Sequence, residues 1–124
     1  MIASFRVGAL ARAVRRRIGG GGRLRLFPGA AVFDPGPVFA ALTGTRQVVH
    51  TDPNVVAMTG RLMPPWVDTA FVLTAGEQTV TVVVPRWLRR RVRAAFGAAG
   101  FTLTDRRTWL LYPPSTGRRA WPRR

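Results

Sequence analysis

The sequence predicts an α+β domain: an antiparallel sheet of short strands packed against one long amphipathic helix at residues 86–99, with a separate N-terminal amphipathic helix at residues 4–18. Three observations predict it. In residues 86–99, steps of about 100° put Leu88, Val92, Ala95, Phe96 and Ala99 on one arc and Arg86, Arg89, Arg90 and Arg93 on the other. Residues 69–74 and 78–84 are rich in Thr, Val and Phe and flank the short loop Ala75-Gly76-Glu77, a hairpin pattern. Elsewhere short apolar runs alternate with Pro, Gly and Asp-Pro breaks, which makes the strands many and brief.

A chain of 124 residues suits one domain with its own core. No cysteine is present, so neither disulfides nor thiolate metal sites contribute. The basic residues are 20 arginines without a lysine, opposed only by Asp34, Asp52, Asp68, Glu77 and Asp105, for a net charge of +15. Arginine in place of lysine, beside abundant Ala, Gly, Val and Pro, reads as the codon bias of a GC-rich genome. The imbalance itself is more informative, because it destabilises a compact monomer by self-repulsion and attracts nucleic acid, anionic lipid or an acidic protein. A slightly positive mean hydropathy favours a lipid surface or an apolar partner over a freely soluble nucleic-acid protein. No uncharged apolar run reaches the ~18 residues of a spanning helix, and the N-terminal charges follow the apolar residues, the reverse of a secretory signal. The expected location is cytoplasmic, peripheral at most to the inner membrane face.

Taken in order, residues 4–18 carry Val7, Leu10, Ala11, Val14 and Ile18 at helical spacing, with Arg12, Arg15 and Arg16 opposite and Ser4 as N-cap. The four glycines at 19–22 then end the helix and form a flexible joint. That joint divides the chain into a helix with linker (1–22), a single α+β domain (23–112) and a disordered basic tail (113–124), whose Pro, Ser, Gly and Arg content buries too little to offset ordering. Residues 24–27 and 30–33 read as strands around Pro28-Gly29, and residues 38–42 fit either a turn of helix or an edge strand. Residues 47–50 and 55–62 are strands separated by Asp52-Pro53-Asn54. In the hairpin that follows, Val80, Val82 and Val84 share one face, while Thr79 and Thr81 share a wet one. Pro85 suits the first helical position, and Gly100 a left-handed cap with Phe101 as its apolar contact. Residues 102–104 and 108–112 form a second hairpin around Asp105-Arg106-Arg107, with Trp109 and Leu111 in the core.

The chemistry-bearing residues are sparse. His50 is the one histidine, and with Thr51 and Asp52 it reads as a strand end entering an Asp-Pro turn, because no nucleophile or second ligand accompanies it. Residues 19–22 lack the preceding strand, the spaced glycines and the Lys-Ser/Thr of a phosphate loop. The expectation is a non-enzymatic module with no catalytic residue, metal, cofactor or small-molecule substrate. Guanidinium groups bind phosphate bidentately, so Arg12, Arg15, Arg16, Arg17, Arg89, Arg90 and Arg93 are the candidate anion-binding residues. Leu10, Val14 and Ile18 are the apolar residues that would enter a bilayer interface beside them. Trp87 and Trp121 are the tryptophans placed to stack on bases or sit among headgroups.

The run Pro64-Pro65-Trp66-Val67-Asp68-Thr69-Ala70-Phe71-Val72-Leu73, with the arginine helix ending Ala98-Ala99-Gly100-Phe101, resembles small uncharacterised proteins of GC-rich actinobacteria. That resemblance covers about half the chain and implies no activity. A short-stranded sheet with one long helix is also similar to the pleckstrin-homology-like superfold, although strand-like sequence here follows the helix. The expected partner is an anionic lipid surface or an acidic protein. Nucleic acid bound through Arg89, Arg90, Arg93 and the tail is the alternative, and a structural or assembly subunit is another.

Overall fold

The computed structural model describes residues 1–13, 16–61 and 67–110, and only the backbone at 12, 13, 16–18, 61, 67, 68 and 108–110. The elements are β1 (Ala3–Ala13), β2 (Arg16–Phe27), β3 (Ala30–Pro35), α1 (Pro37–Thr43), β4 (Val48–His50), β5 (Asn54–Arg61), β6 (Val67–Ala75), β7 (Gln78–Pro85), a 3₁₀ turn (Arg86–Leu88), α2 (Arg89–Ala98) and β8 (Thr102–Leu110). All eight strands form one curled half-barrel sheet in the order β4-β3-β2-β1-β7-β6-β5-β8. Neighbours are antiparallel except β5 and β8, which run parallel. The fold is therefore mainly β, which corrects the expectation of a sheet on a long helix with a second helix in front.

Where a helix was expected at residues 4–18, residues 4–13 belong to β1 and 16–18 to β2, two paired antiparallel strands. Residues 3–13 satisfy two periods at once: a helical stripe, and an alternation in which Val7, Ala9 and Ala11 are buried while Arg6 is exposed. A partner decides between them. β2 pairs with β1 in unbroken register from Ala3↔Leu26 to Ala13↔Arg16, whereas a helix of about 15 residues with no tertiary partner is only marginally stable in water. Ser4 is not an N-cap; its hydroxyl accepts a hydrogen bond from Arg23 Nη1 at 3.1 Å.

The glycines at 19–22 are strand, not joint. Positions 20 and 22 share the alternation of the buried Leu24 and Leu26, and the missing side chains make room for two phenylalanines. A Cβ on Gly20 would lie 2.4 Å from the Phe39 ring, and one on Gly22 would lie 2.5 Å from the Asp34 carbonyl and 2.6 Å from the Phe33 ring. Phe33 and Phe39 meet edge to face at 6.2 Å, so α1 is seated across the bare part of β2. Gly36 N donates to Gly21 O at 2.8 Å where the chain enters that helix.

The long helix expected at 86–99 is also shorter. Pro85 ends β7 with φ −61° and ψ 151° and caps the 3₁₀ turn, so it precedes the first helical position instead of filling it, and α2 proper spans ten residues. Its apolar arc does pack: Val92, Ala95, Phe96 and Ala99 are buried and Leu88 is partly so, with Phe96 4.8 Å from Phe71 of β6. Gly100 takes φ 96°, and Phe101 N donates to Phe96 O at 3.0 Å, closing the helix with the Phe101 ring against Phe96.

Two smaller expectations fail for identifiable reasons. Thr81 is not on a wet face but 7% exposed, because β7 is a central strand and Thr81 stands in register between Leu10 and Val72; Thr79, near the hairpin end, is exposed. Residues 102–110 are one continuous strand instead of a hairpin. Asp105-Arg106-Arg107 has no glycine to complete a tight hairpin turn, and Asp105 is gripped from α2 by Arg93, Nη1 to Oδ1 at 2.9 Å and Nη2 to Oδ2 at 3.1 Å. The pair is solvent-facing, with side chains 33% and 57% exposed. Replacing Asp105 by alanine should lower stability by less than about 1 kcal/mol in urea denaturation, and the difference should shrink further in high salt.

Candidate functional site

The β1–β2 hairpin outruns the sheet that carries it. β1 is paired with β7 only at Gly8, Ala9 and Leu10, and β2 with β3 only from Gly22 onward. Beyond those points each strand has only the other, so the distal part of the hairpin is a two-stranded ribbon extending about 10 Å past Leu10 at ~3.4 Å per residue. Along the hairpin the register sets arginine opposite arginine twice: Arg6↔Arg23 inside the sheet, where Arg23 also stands opposite Asp34 of β3, and Arg12↔Arg17 on the two-stranded ribbon, with Ala13↔Arg16 next to it. Like charges directly opposed on antiparallel strands are destabilising.

Arg6 and Arg23 are exposed on the outer face of the sheet, the face opposite the buried Val7 and Leu24. Positions 12 and 17 belong to the same alternation, six residues from Arg6 and Arg23, a spacing of about 20 Å. Next to this ladder Arg25 is already committed: its Nε donates to Asp34 Oδ2 at 2.7 Å, Gln47 Nε2 donates to Asp34 Oδ1 at 2.7 Å, and its guanidinium lies 5.6 Å from the centre of the Phe27 ring. The acid takes Arg25 and leaves Arg6 and Arg23 without an ionic partner among the described residues.

The expected site residues are thus divided. Arg12, Arg16 and Arg17 fall on the ribbon, while Arg15 and Val14 lie outside the described residues. Arg89, Arg90 and Arg93 sit on α2, where Arg90 is exposed and Arg93 is bound to Asp105. The apolar trio does not form a stripe: Leu10 pairs with Gly19 and Ile18 with Ala11, which assigns positions 10 and 18 to opposite alternations of the ribbon. Sequence reasoning missed Arg6 and Arg23. Their signal is the period-two spacing of Arg23 and Arg25 and of Ser4, Arg6 and Gly8, visible only once the hairpin is recognised.

His50 has no free nitrogen for chemistry. It is 3% exposed; its Nδ1 accepts from Thr74 N at 3.1 Å and its Nε2 donates to Asn54 O at 3.2 Å, which defines the Nε2–H tautomer. Asp52 faces its own turn, accepting from Asn54 N at 2.8 Å. Among the described residues no group of His, Asp and Glu is placed to hold a metal ion, and no helix is long and apolar enough to cross a membrane. A cleft of about 540 Å³ opens at the root of the ribbon, lined by Ala11, the loop 43–46 and residues 77–79. Trp87, the middle residue of the 3₁₀ turn, is 69% exposed. No family model, curated protein or solved structure matches the chain.

Proposed function

We propose that the protein is a non-enzymatic nucleic-acid-binding module that uses the β1–β2 ribbon as its contact element. The observation that supports this reading is the pair of arginine-on-arginine registers on one hairpin, Arg6↔Arg23 within the sheet and Arg12↔Arg17 on its distal part, which is free of other strands. Such a ladder is electrostatically costly in isolation and is relieved by phosphates laid along it. Its length of about 20 Å matches roughly six nucleotide steps at 3.4 Å per step on one strand. A two-stranded ribbon is also narrow enough to enter the major groove of a duplex. The interfacial-helix route to a lipid surface loses its basis with the helix itself.

The test is a salt series of fluorescence anisotropy on a labelled duplex and a single strand. Four phosphate contacts give a slope of log K against log salt of about −3.6, and Arg6→Gln with Arg23→Gln should reduce its magnitude by about two. The same double variant should be as stable as the parent or slightly more so, because a like-charged pair is removed. Absence of binding at low salt, or binding indifferent to these substitutions, would overturn the reading.

A further inference from the structure

We propose that the cleft at the root of the ribbon is a mononucleotide site that takes a phosphate at Arg46 and the exocyclic amine of a base at Glu77. The inference rests on the nucleic-acid reading only for where the nucleotide comes from. Its basis is the composition of the two walls. One is the α1–β4 loop, with Thr43, Thr45 and Arg46; the other is the β6–β7 turn, with Glu77, Gln78 and Thr79. A volume of about 540 Å³ lies within the usual range of small-ligand pockets, ~300–1,000 Å³.

The walls are held in place before any ligand arrives. Gly44 turns the chain at φ 70° and its N–H donates to Ala40 O at 2.8 Å. Thr43 Oγ1 donates to Phe39 O at 2.7 Å and accepts from Thr45 N at 3.1 Å, and Arg46 N donates to Gln78 Oε1 at 3.2 Å, tying one wall to the other. Gly76, at φ 62°, sets the opposite turn. What these bonds leave over is a guanidinium and a carboxylate. Asp34 and Asp105 are in ion pairs and Asp52 is in its turn, whereas Glu77 has no hydrogen bond or ion pair among the described residues. An unpaired carboxylate on one wall and an arginine on the other, in a chain of net charge +15, suit a ligand carrying both an anion and an N–H donor. Nucleotides of guanine, adenine and cytosine present an exocyclic amine with two N–H donors beside the phosphate; uridine monophosphate has only its ring N3–H.

The test titrates GMP, AMP, CMP and UMP into the full chain and follows backbone amide resonances. The expected result is shifts confined to residues 43–46 and 77–79, with UMP weaker than the others by roughly tenfold. Glu77→Gln should erase that difference, and Arg46→Gln should weaken all four by a similar factor. Arg6→Gln with Arg23→Gln should leave mononucleotide binding intact while lowering duplex affinity, so the ribbon and the cleft fail independently. A strand with an unpaired terminal nucleotide binding more tightly than a blunt duplex, with the advantage lost in Glu77→Gln, assigns the nucleotide to nucleic acid; equal affinities assign it to free nucleotide. Shifts outside the cleft, equal binding of UMP, or no binding at millimolar concentration would overturn the proposal.

Discussion

Gly22→Ala should be among the most destabilising single-methyl additions in the protein, with Gly20→Ala close behind and Gly21→Ala near neutral. The ranking follows from what each new Cβ meets. At Gly22 it is 2.5 Å from the Asp34 carbonyl, which is backbone of a paired strand, and 2.6 Å from two atoms of the Phe33 ring. Neither can retreat without breaking the β2–β3 ladder or the Phe33–Phe39 contact. At Gly20 the obstruction is Phe39 at Cδ1, Cβ and Cγ, 2.4 to 2.8 Å away, so α1 itself must lift. At Gly21 the nearest atom is Val7 O at 3.8 Å, ordinary contact. Overpacking of this kind costs typically 1–3 kcal/mol and more where backbone is the obstacle, so about 3 kcal/mol is expected for Gly22→Ala, a large share of a domain's ~5–15 kcal/mol. Urea denaturation of the three variants measures it. Combining Gly20→Ala with Phe39→Leu should cost less than the two single losses together, because the smaller side chain vacates the space the methyl needs. A flexible-joint role for residues 19–22 would instead leave all three alanine variants equal.

His50→Leu should destabilise by about 2 kcal/mol, the sum of two part-buried backbone hydrogen bonds lost with the imidazole. β4 is one edge of the sheet in strand order, yet the curl brings it against β6 and sets His50 next to Asn54 at the start of β5. The β5–β6 pairing ends at Val56↔Val72, so the N–H of Thr74 needs another acceptor and takes His50 Nδ1, while Asn54 O takes the Nε2–H. The imidazole thereby fastens the seam, with Phe101 packed at 5.8 Å. Hydrogen exchange at the Thr74 amide should speed up in His50→Leu more than at amides of the β6–β7 ladder. His50→Gln retains one donor and one acceptor and should lose less stability. Equal losses for Leu and Gln would show that His50 contributes by packing alone.

Much of the strand content was legible. The β6–β7 hairpin stands out because its turn chemistry and its alternation of Val80, Val82 and Val84 agree, and those three are wholly buried. The apolar arc of α2 and its Gly100-Phe101 closure were legible for the same reason. Residues 38–42 were ambiguous because a short apolar run satisfies either period, and the helix there is settled by Phe39 finding the space over Gly20, beside Phe33. Of the candidate site, the arginine clusters were legible as charge, but their division between ribbon and α2 was not. Arg93 looks like a ligand-binding residue until β8 supplies Asp105.

By itself the sequence determined composition, the extreme positive charge, the strong hairpin and the amphipathic arc, since each depends on residues close along the chain. Only the tertiary structure decided that residues 4–13 and 16–18 are strand, that Gly20 and Gly22 make the seat for two phenylalanines, and that Arg6 faces Arg23. Those outcomes depend on partners distant in sequence: an apolar stripe and an apolar alternation coexist in residues 3–13, and the one realised is the one whose backbone groups β2 and β7 complete.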